Sequence, residues 1–84
     1  MLKYKITTEE VVLNNGINKI ISTCPSSIPW ENVIAILPYI SGGYHDVSCS
    51  SVGAYSGDGY VYFYVDSYWG EQVTTTATIV WLYI

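Results

Sequence analysis

The sequence predicts an all-β protein, a small antiparallel β-sandwich or jelly roll of six to seven short strands. Three observations carry that reading. Residues 59–66 (GYVYFYVD) and 73–84 (VTTTATIVWLYI) are built almost wholly of aromatic and β-branched residues, which favour a pleated, half-buried surface. The remaining apolar runs are short and are separated by Gly, Pro, Asn and Ser clusters that break regular structure. Helical spacing of apolar residues is found in one segment only, residues 30–40, and a proline interrupts it.

Taking the chain in order, Leu2, Tyr4 and Ile6 alternate with Lys3, Lys5 and Thr7, the period of a strand with one apolar face. Residues 1–10 are read as an N-terminal strand or attachment arm, and residues 11–84 as the sandwich domain. Residues 11–13 and 17–21 are β-prone runs around Asn14, Asn15 and Gly16; Asn-Gly is the strongest short hairpin signal, so a hairpin is expected there. Residues 22–29 hold two prolines and three serines and read as a loop. In residues 30–40, Trp30, Val33, Ile34 and Leu37 match a helical stripe. Val33, Ile34 and Ile36 are β-branched, however, and Pro38 would stop a helix after two turns, so a strand is expected. Its apolar character on both faces suits a central position. Residues 41–43 form a turn, 44–52 alternate weakly as a further strand, and 53–59 read as a flexible loop.

The last two runs flank Ser67 to Glu71, with Gly70 available for a tight turn. As a hairpin with a five-residue loop, they would place Val65 opposite Val73, Phe63 opposite Thr75 and Val61 opposite Ala77 on the core face. Tyr60, Tyr62 and Tyr64 would then face Thr78, Thr76 and Thr74 on the other side. A one-residue slip would bury the threonines, which is what specifies the register. Beyond Thr78 the alternation stops, since residues 79–84 are apolar on both faces. That end must be buried on both sides or lie in a subunit interface, and Val80, Leu82 and Ile84 are the interface candidates.

Composition narrows the functional classes. The 84 residues are 50% hydrophobic and 12% charged, with nine tyrosines, and a chain of this size removes only about 60–65% of its surface from water. Some apolar surface should therefore be shared with a partner, and a homo-oligomer is expected. Three lysines, no arginine and seven carboxylates leave a net charge of −4. This charge opposes binding to nucleic acid, because the counterion-release term needs cationic side chains, and it disfavours anionic membrane surfaces. The apolar runs fall short of the ~20 residues of a spanning helix, and the N-terminus has no apolar segment or cleavage site of a signal peptide. Cys24 and Cys49 match no zinc or redox spacing, so two reduced, mostly buried thiols are expected, with a single disulfide between them as the alternative.

No catalytic constellation, metal or cofactor is expected. His45, Asp46 and Cys49 suggest a Cys-His dyad, but four positions along a strand separate His45 from Cys49 by about 13 Å, beyond hydrogen-bond reach. Asp58 between two glycines lacks the regular oxygen spacing of a calcium loop and reads as a turn residue. Tyr55, Tyr68 and Trp69 lie in loops where core packing does not require them, and flat rings with a polar edge suit recognition; packing back over an open end of the sandwich is the alternative role.

An opening strand pair around an Asn-Gly turn, then residues 28–39 (IPWENVIAILPY), 57–65 (GDGYVYFYV) and the closing 73–84, together resemble the small β-sandwich modules of tail-fibre, baseplate and head-fibre proteins of tailed bacteriophages. The resemblance covers about residues 10–84 and rests on patterned strands rather than on any functional residue. It implies a non-enzymatic virion protein, assembled in the host cytoplasm, that forms a homotrimer or decorates a larger assembly. It also implies loops presented to other virion proteins or to a bacterial surface polysaccharide, and the short arm favours a stand-alone decoration. Two other classes fit the residues, a carbohydrate-binding module and a small acidic inhibitor of a host protein. The carboxylates at positions 9, 10, 31, 46, 58, 66 and 71 are scattered rather than clustered, which weighs against the inhibitor.

Overall fold

The computed structural model describes residues 1–41, 47–54 and 59–84. Among the described residues, six strands are divided between two sheets: β1 (Lys3–Leu13), β2 (Gly16–Thr23), β3 (Val33–Ser41), β4 (Val47–Ala54), β5 (Tyr60–Ser67) and β6 (Val73–Tyr83), with a 3-10 turn over Trp30–Asn32. The sheets are three-stranded and antiparallel, ordered β1-β6-β3 and β2-β5-β4. The fold is thus the small all-β sandwich that the alternation implies.

The core is the inner face of both sheets. Leu13, Phe63, Val65, Ala77 and Trp81 are fully inaccessible, and Val11, Ile28, Val61, Val73 and Ile79 nearly so. Period-two alternation accounts for most of this set directly: every second residue of β5, and of β6 from Val73 to Trp81, is buried, and the intervening ones are not. Trp81, the largest buried side chain, donates its indole N–H to Thr7 Oγ1 at 2.8 Å, which removes the cost of hiding that donor.

The expected hairpin between residues 59–66 and 73–84 is not formed. β5 pairs with β2 and β4, whereas β6 pairs with β1 and β3. Val61, Phe63, Val65 and Ile79 do point into the core as expected, but they meet across the sandwich instead of side by side within one sheet. The Tyr60/Tyr62/Tyr64 and Thr74/Thr76/Thr78 rows therefore lie on opposite outer surfaces and form no ladder. The reason is that alternation specifies which face of a strand is buried and is silent on whether two strands pair or stack. Residues 68–72 are long enough to cross the ~10 Å between packed sheets.

The same holds at Asn14 and Asn15. β1 and β2 belong to different sheets, so this connection is a corner and not a hairpin turn. Three peptide steps from Leu13 to Gly16 span about 10 Å, the spacing between packed sheets. Gly16 takes a φ of 108°, which only glycine adopts without strain. Asn18 braces the corner: its Oδ1 accepts from the Asn14 N–H at 2.9 Å, and its Nδ2 donates to the Asn14 and Val65 carbonyls at 2.9 and 3.2 Å. The second connection of this end is tied to the first, with Gly70 N–H donating to Asn15 Oδ1 at 3.0 Å and Gln72 Nε2 to Asn14 Oδ1 at 2.9 Å.

Two further expectations shift. The segment at 30–40 is a strand after a 3-10 turn, but β3 is an edge and not a central strand. An edge accommodates Pro38, which has no N–H to give to a ladder. β1 runs unbroken from Lys3 to Leu13, and its apolar side, Tyr4 and Ile6, faces away from the core. On β4 the register shifts between Ser50 and Gly53, and Ser51 sits at φ 52°, a bulge that re-aims the strand.

Two stability measurements follow. Phe63→Ala should cost about 3–5 kcal/mol, most of what so small a domain has, and a loss below about 1 kcal/mol in chemical denaturation would mean that Phe63 is not central to the core. Ser67 is fully buried, and among the described residues its Oγ has no hydrogen-bond partner. Since hiding an unsatisfied hydroxyl costs about 1–3 kcal/mol, Ser67→Ala should leave the denaturation midpoint unchanged or raise it.

Candidate functional site

The outer face of the β1-β6-β3 sheet is apolar over one half of its length. Register places Tyr4, Leu82 and Ala35 in one row across the three strands, and Ile6, Val80 and Leu37 in the next. Leu82 and Val80 are half-buried because exposed neighbours flank them: Tyr4 is 69% accessible, and Ile6 and Leu37 each 54%. Tyr39 and Ile84 extend this patch, both well exposed. Towards the other end of the sheet the rows turn polar, through Thr8 and Thr78 to Glu10 and Thr76.

Of the interface candidates expected from sequence, Val80 and Leu82 lie on this face and Ile84 at its end. The backbone of β6 beneath this patch is not available to another chain, because β1 pairs with one edge over residues 73–83 and β3 with the other over residues 76–83. A surface reached through β6 is therefore a face of side chains. The sequence reading missed Tyr4, Ile6, Leu37 and Tyr39. The alternation at residues 2–7 was the signal available, but it marks an apolar side without telling whether that side meets the core or the solvent.

The outer face of the β2-β5-β4 sheet is different in kind. Tyr62 lies against Gly53, its register partner, so closely that a Cβ there would come within 2.4 Å of the ring. Tyr62 and Tyr64 meet edge to face at 6.1 Å, and Lys19 Nζ stands 4.8 Å from the Tyr62 ring centre. These tyrosines are thus engaged with their neighbours, with Tyr60 the more exposed of the row.

Tyr68 and Trp69 occupy the connection between β5 and β6 at the far end of the molecule from the apolar patch, both exposed. Their loop is held by the Asn14 and Asn15 amides described above. Tyr55, His45, Asp46 and Asp58 lie outside the described residues. Among the described residues no group of three or more His, Cys, Asp or Glu is placed to hold a metal ion, and no helix is long and apolar enough to cross a membrane.

Cys24 and Cys49 are free thiols. Burial pushes the Cys24 thiol above its ordinary value; burial does the same to Cys49, and a backbone hydrogen bond involving Ile40 offsets part of it. A raised folded-state value means that the native protein holds these protons more tightly than the unfolded chain does. Stability is then full below the ordinary thiol value of 9.0 and declines as pH rises above it. The expected outcome is a denaturation midpoint that falls above about pH 9, with less of a fall in Cys24→Ala/Cys49→Ala. An equal fall in both proteins would assign it to other groups.

Comparison of the chain with protein-family models, with curated proteins and with solved structures finds no match.

Proposed function

We propose that this chain is a non-enzymatic assembly module that associates with copies of itself through the outer face of the β1-β6-β3 sheet. The observation that carries the reading is the pair of apolar rows Tyr4-Leu82-Ala35 and Ile6-Val80-Leu37, set on a sheet whose inner side is already a complete core. Soluble monomers seldom expose contiguous apolar patches beyond a few hundred Å². The broad side of a body with extents of 42 and 23 Å is on the scale of the ~800 Å² per partner that a standard interface covers. The net charge of −4 does not stand in the way, since no carboxylate lies in the two apolar rows and Glu10 is at the polar end of the face.

The resemblance to bacteriophage fibre and baseplate modules supplies the setting, a virion decoration or fibre component, and the order of association, a trimer. Adhesion to a surface polysaccharide is the second reading. It draws on Tyr68 and Trp69, two exposed rings on a loop braced by amide hydrogen bonds.

Sedimentation equilibrium tests the assembly reading. The wild-type chain should sediment at a whole multiple of its 9.4 kDa, threefold in the trimer. Leu37→Asp and Val80→Asp should reduce it to the monomer while the β circular dichroism remains. A wild-type protein that is monomeric across the micromolar range, or an oligomer indifferent to both substitutions, would overturn it.

A further inference from the structure

A sandwich of two three-stranded sheets is open along both sides, and its two openings differ. The side between β3 and β4 is walled by apolar residues, among them Trp30, Ile34 and Val52. The side between β1 and β2 is a cleft of about 300 Å³ lined by Thr7, Thr8, Glu9, Ser22 and Thr23, with Ile79 and Pro25 adding apolar surface. That volume is at the lower end of small-molecule sites and well above the ~30 Å³ that one water occupies in the liquid.

Glu9 is the unusual member. Alternation along β1 turns it to the inner side, between Thr7 and the buried Val11, where a strand of a sandwich ordinarily carries an apolar residue. Ser22, on the facing strand β2 and only 6% exposed, donates its hydroxyl to Glu9 Oε1. Among the described residues that is the Glu9 carboxylate's only hydrogen-bond partner, and no cation pairs with it. Lys5, two positions away on the same side of β1, gives its Nζ to Ser27 Oγ at 2.7 Å instead. A carboxylate offers about four acceptor positions, so most of its capacity is unused in a partly buried cleft. A charge pointing inward on an edge strand also discourages edge-to-edge pairing. That role alone, however, requires neither a buried hydroxyl holding the carboxylate nor an open volume beside it.

We propose that this cleft binds an alkylammonium group, the chemistry shared by a small aliphatic amine and a lysine side chain. The free oxygen of Glu9 takes the ammonium in a charge-assisted hydrogen bond. The Thr23 hydroxyl, and the second lone pair of the Thr7 oxygen that already accepts from Trp81, are the acceptors for its other protons. Ile79 and Pro25 receive the methylene stem, much as aliphatic stems elsewhere lie along apolar surface with the charge kept on a polar partner. Ser22 is a positioning residue, fixing the carboxylate by its hydrogen bond. The site lies on the β1-β2 edge and not on the apolar face, so it stands or falls separately from self-association.

The test is a titration of the full chain, followed by amide chemical shifts, with n-butylammonium and with Nα-acetyl-lysine N-methylamide, and with n-butanol and the Nε-acetylated lysine analogue as neutral counterparts. Saturable shifts at Thr7, Glu9, Ser22 and Thr23 are expected with one or both cationic probes. Response to the lysine probe identifies a partner's side chain as an admissible source, and response to n-butylammonium alone identifies a free amine. Glu9→Gln should weaken binding at least tenfold, and Ser22→Ala by a smaller factor, in protein whose remaining amide spectrum is unchanged. Added salt should weaken it further. Neutral probes that bind as well as the cationic ones, cationic probes that leave these four amides unmoved, or undiminished binding by a folded Glu9→Gln would each overturn the proposal.

Discussion

Everything in this structure depends on two central strands meeting across one core. β5 and β6 are each flanked on both sides within their own sheets, and between them they supply Val61, Phe63 and Val65 from one sheet and Val73, Ala77, Ile79 and Trp81 from the other. With 84 residues there is no second core to fall back on. The outer strands can then be irregular: β3 carries a proline, β4 a bulge, and β1 a carboxylate on its inner side. Each of these departures from a regular ladder sits on an edge, where an imperfect or unpaired backbone group still reaches water.

How far the fold was legible follows from what a period of two can encode. It identified β5 and β6 as strands and identified their buried residues, because Val61, Phe63 and Val65 differ from Tyr60, Tyr62 and Tyr64 in how little they retain for solvent. Pairing is a relation between strands distant in sequence, and Lys3 opposite Tyr83 leaves no local trace. Both expected hairpins failed for this reason, at an Asn-Gly step and at a five-residue loop that would each have suited a hairpin equally well. The corner at Asn14 could only have been recognised through Asn18, whose side chain replaces the backbone bonds that a hairpin would have made.

The candidate surfaces divide the same way. Val80 and Leu82 were legible because a run apolar on both faces needs two covers, and one sheet face supplies only one. Their neighbours Ile6 and Leu37 were not, since nothing short of the register brings three strands into rows. Glu9 was invisible as more than a scattered charge: its significance comes from Ser22, thirteen residues on and in the opposite sheet. The two sheets also end up chemically unlike on the outside. One sets Tyr4, Ile6 and Leu37 in adjoining rows with little to hold them, while the other carries Ile17 and Ile21 beside tyrosines that meet edge to face, lie against Gly53 and sit under Lys19.

The crossing connections have a kinetic consequence. β1 leaves its sheet at Asn14 without having met a partner, and the partner it eventually takes is β6; β2 waits in the same way for β5. Only β4 and β5, adjacent in both sequence and sheet, can pair early. Nearly every ladder must therefore close a long loop before it gains anything, which places this chain among slow-folding topologies despite its size. Until β6 joins, Tyr4 and Ile6 on an unpaired strand are open to any extended neighbour, and nascent chains produced close together run the risk of pairing with one another before they pair with themselves.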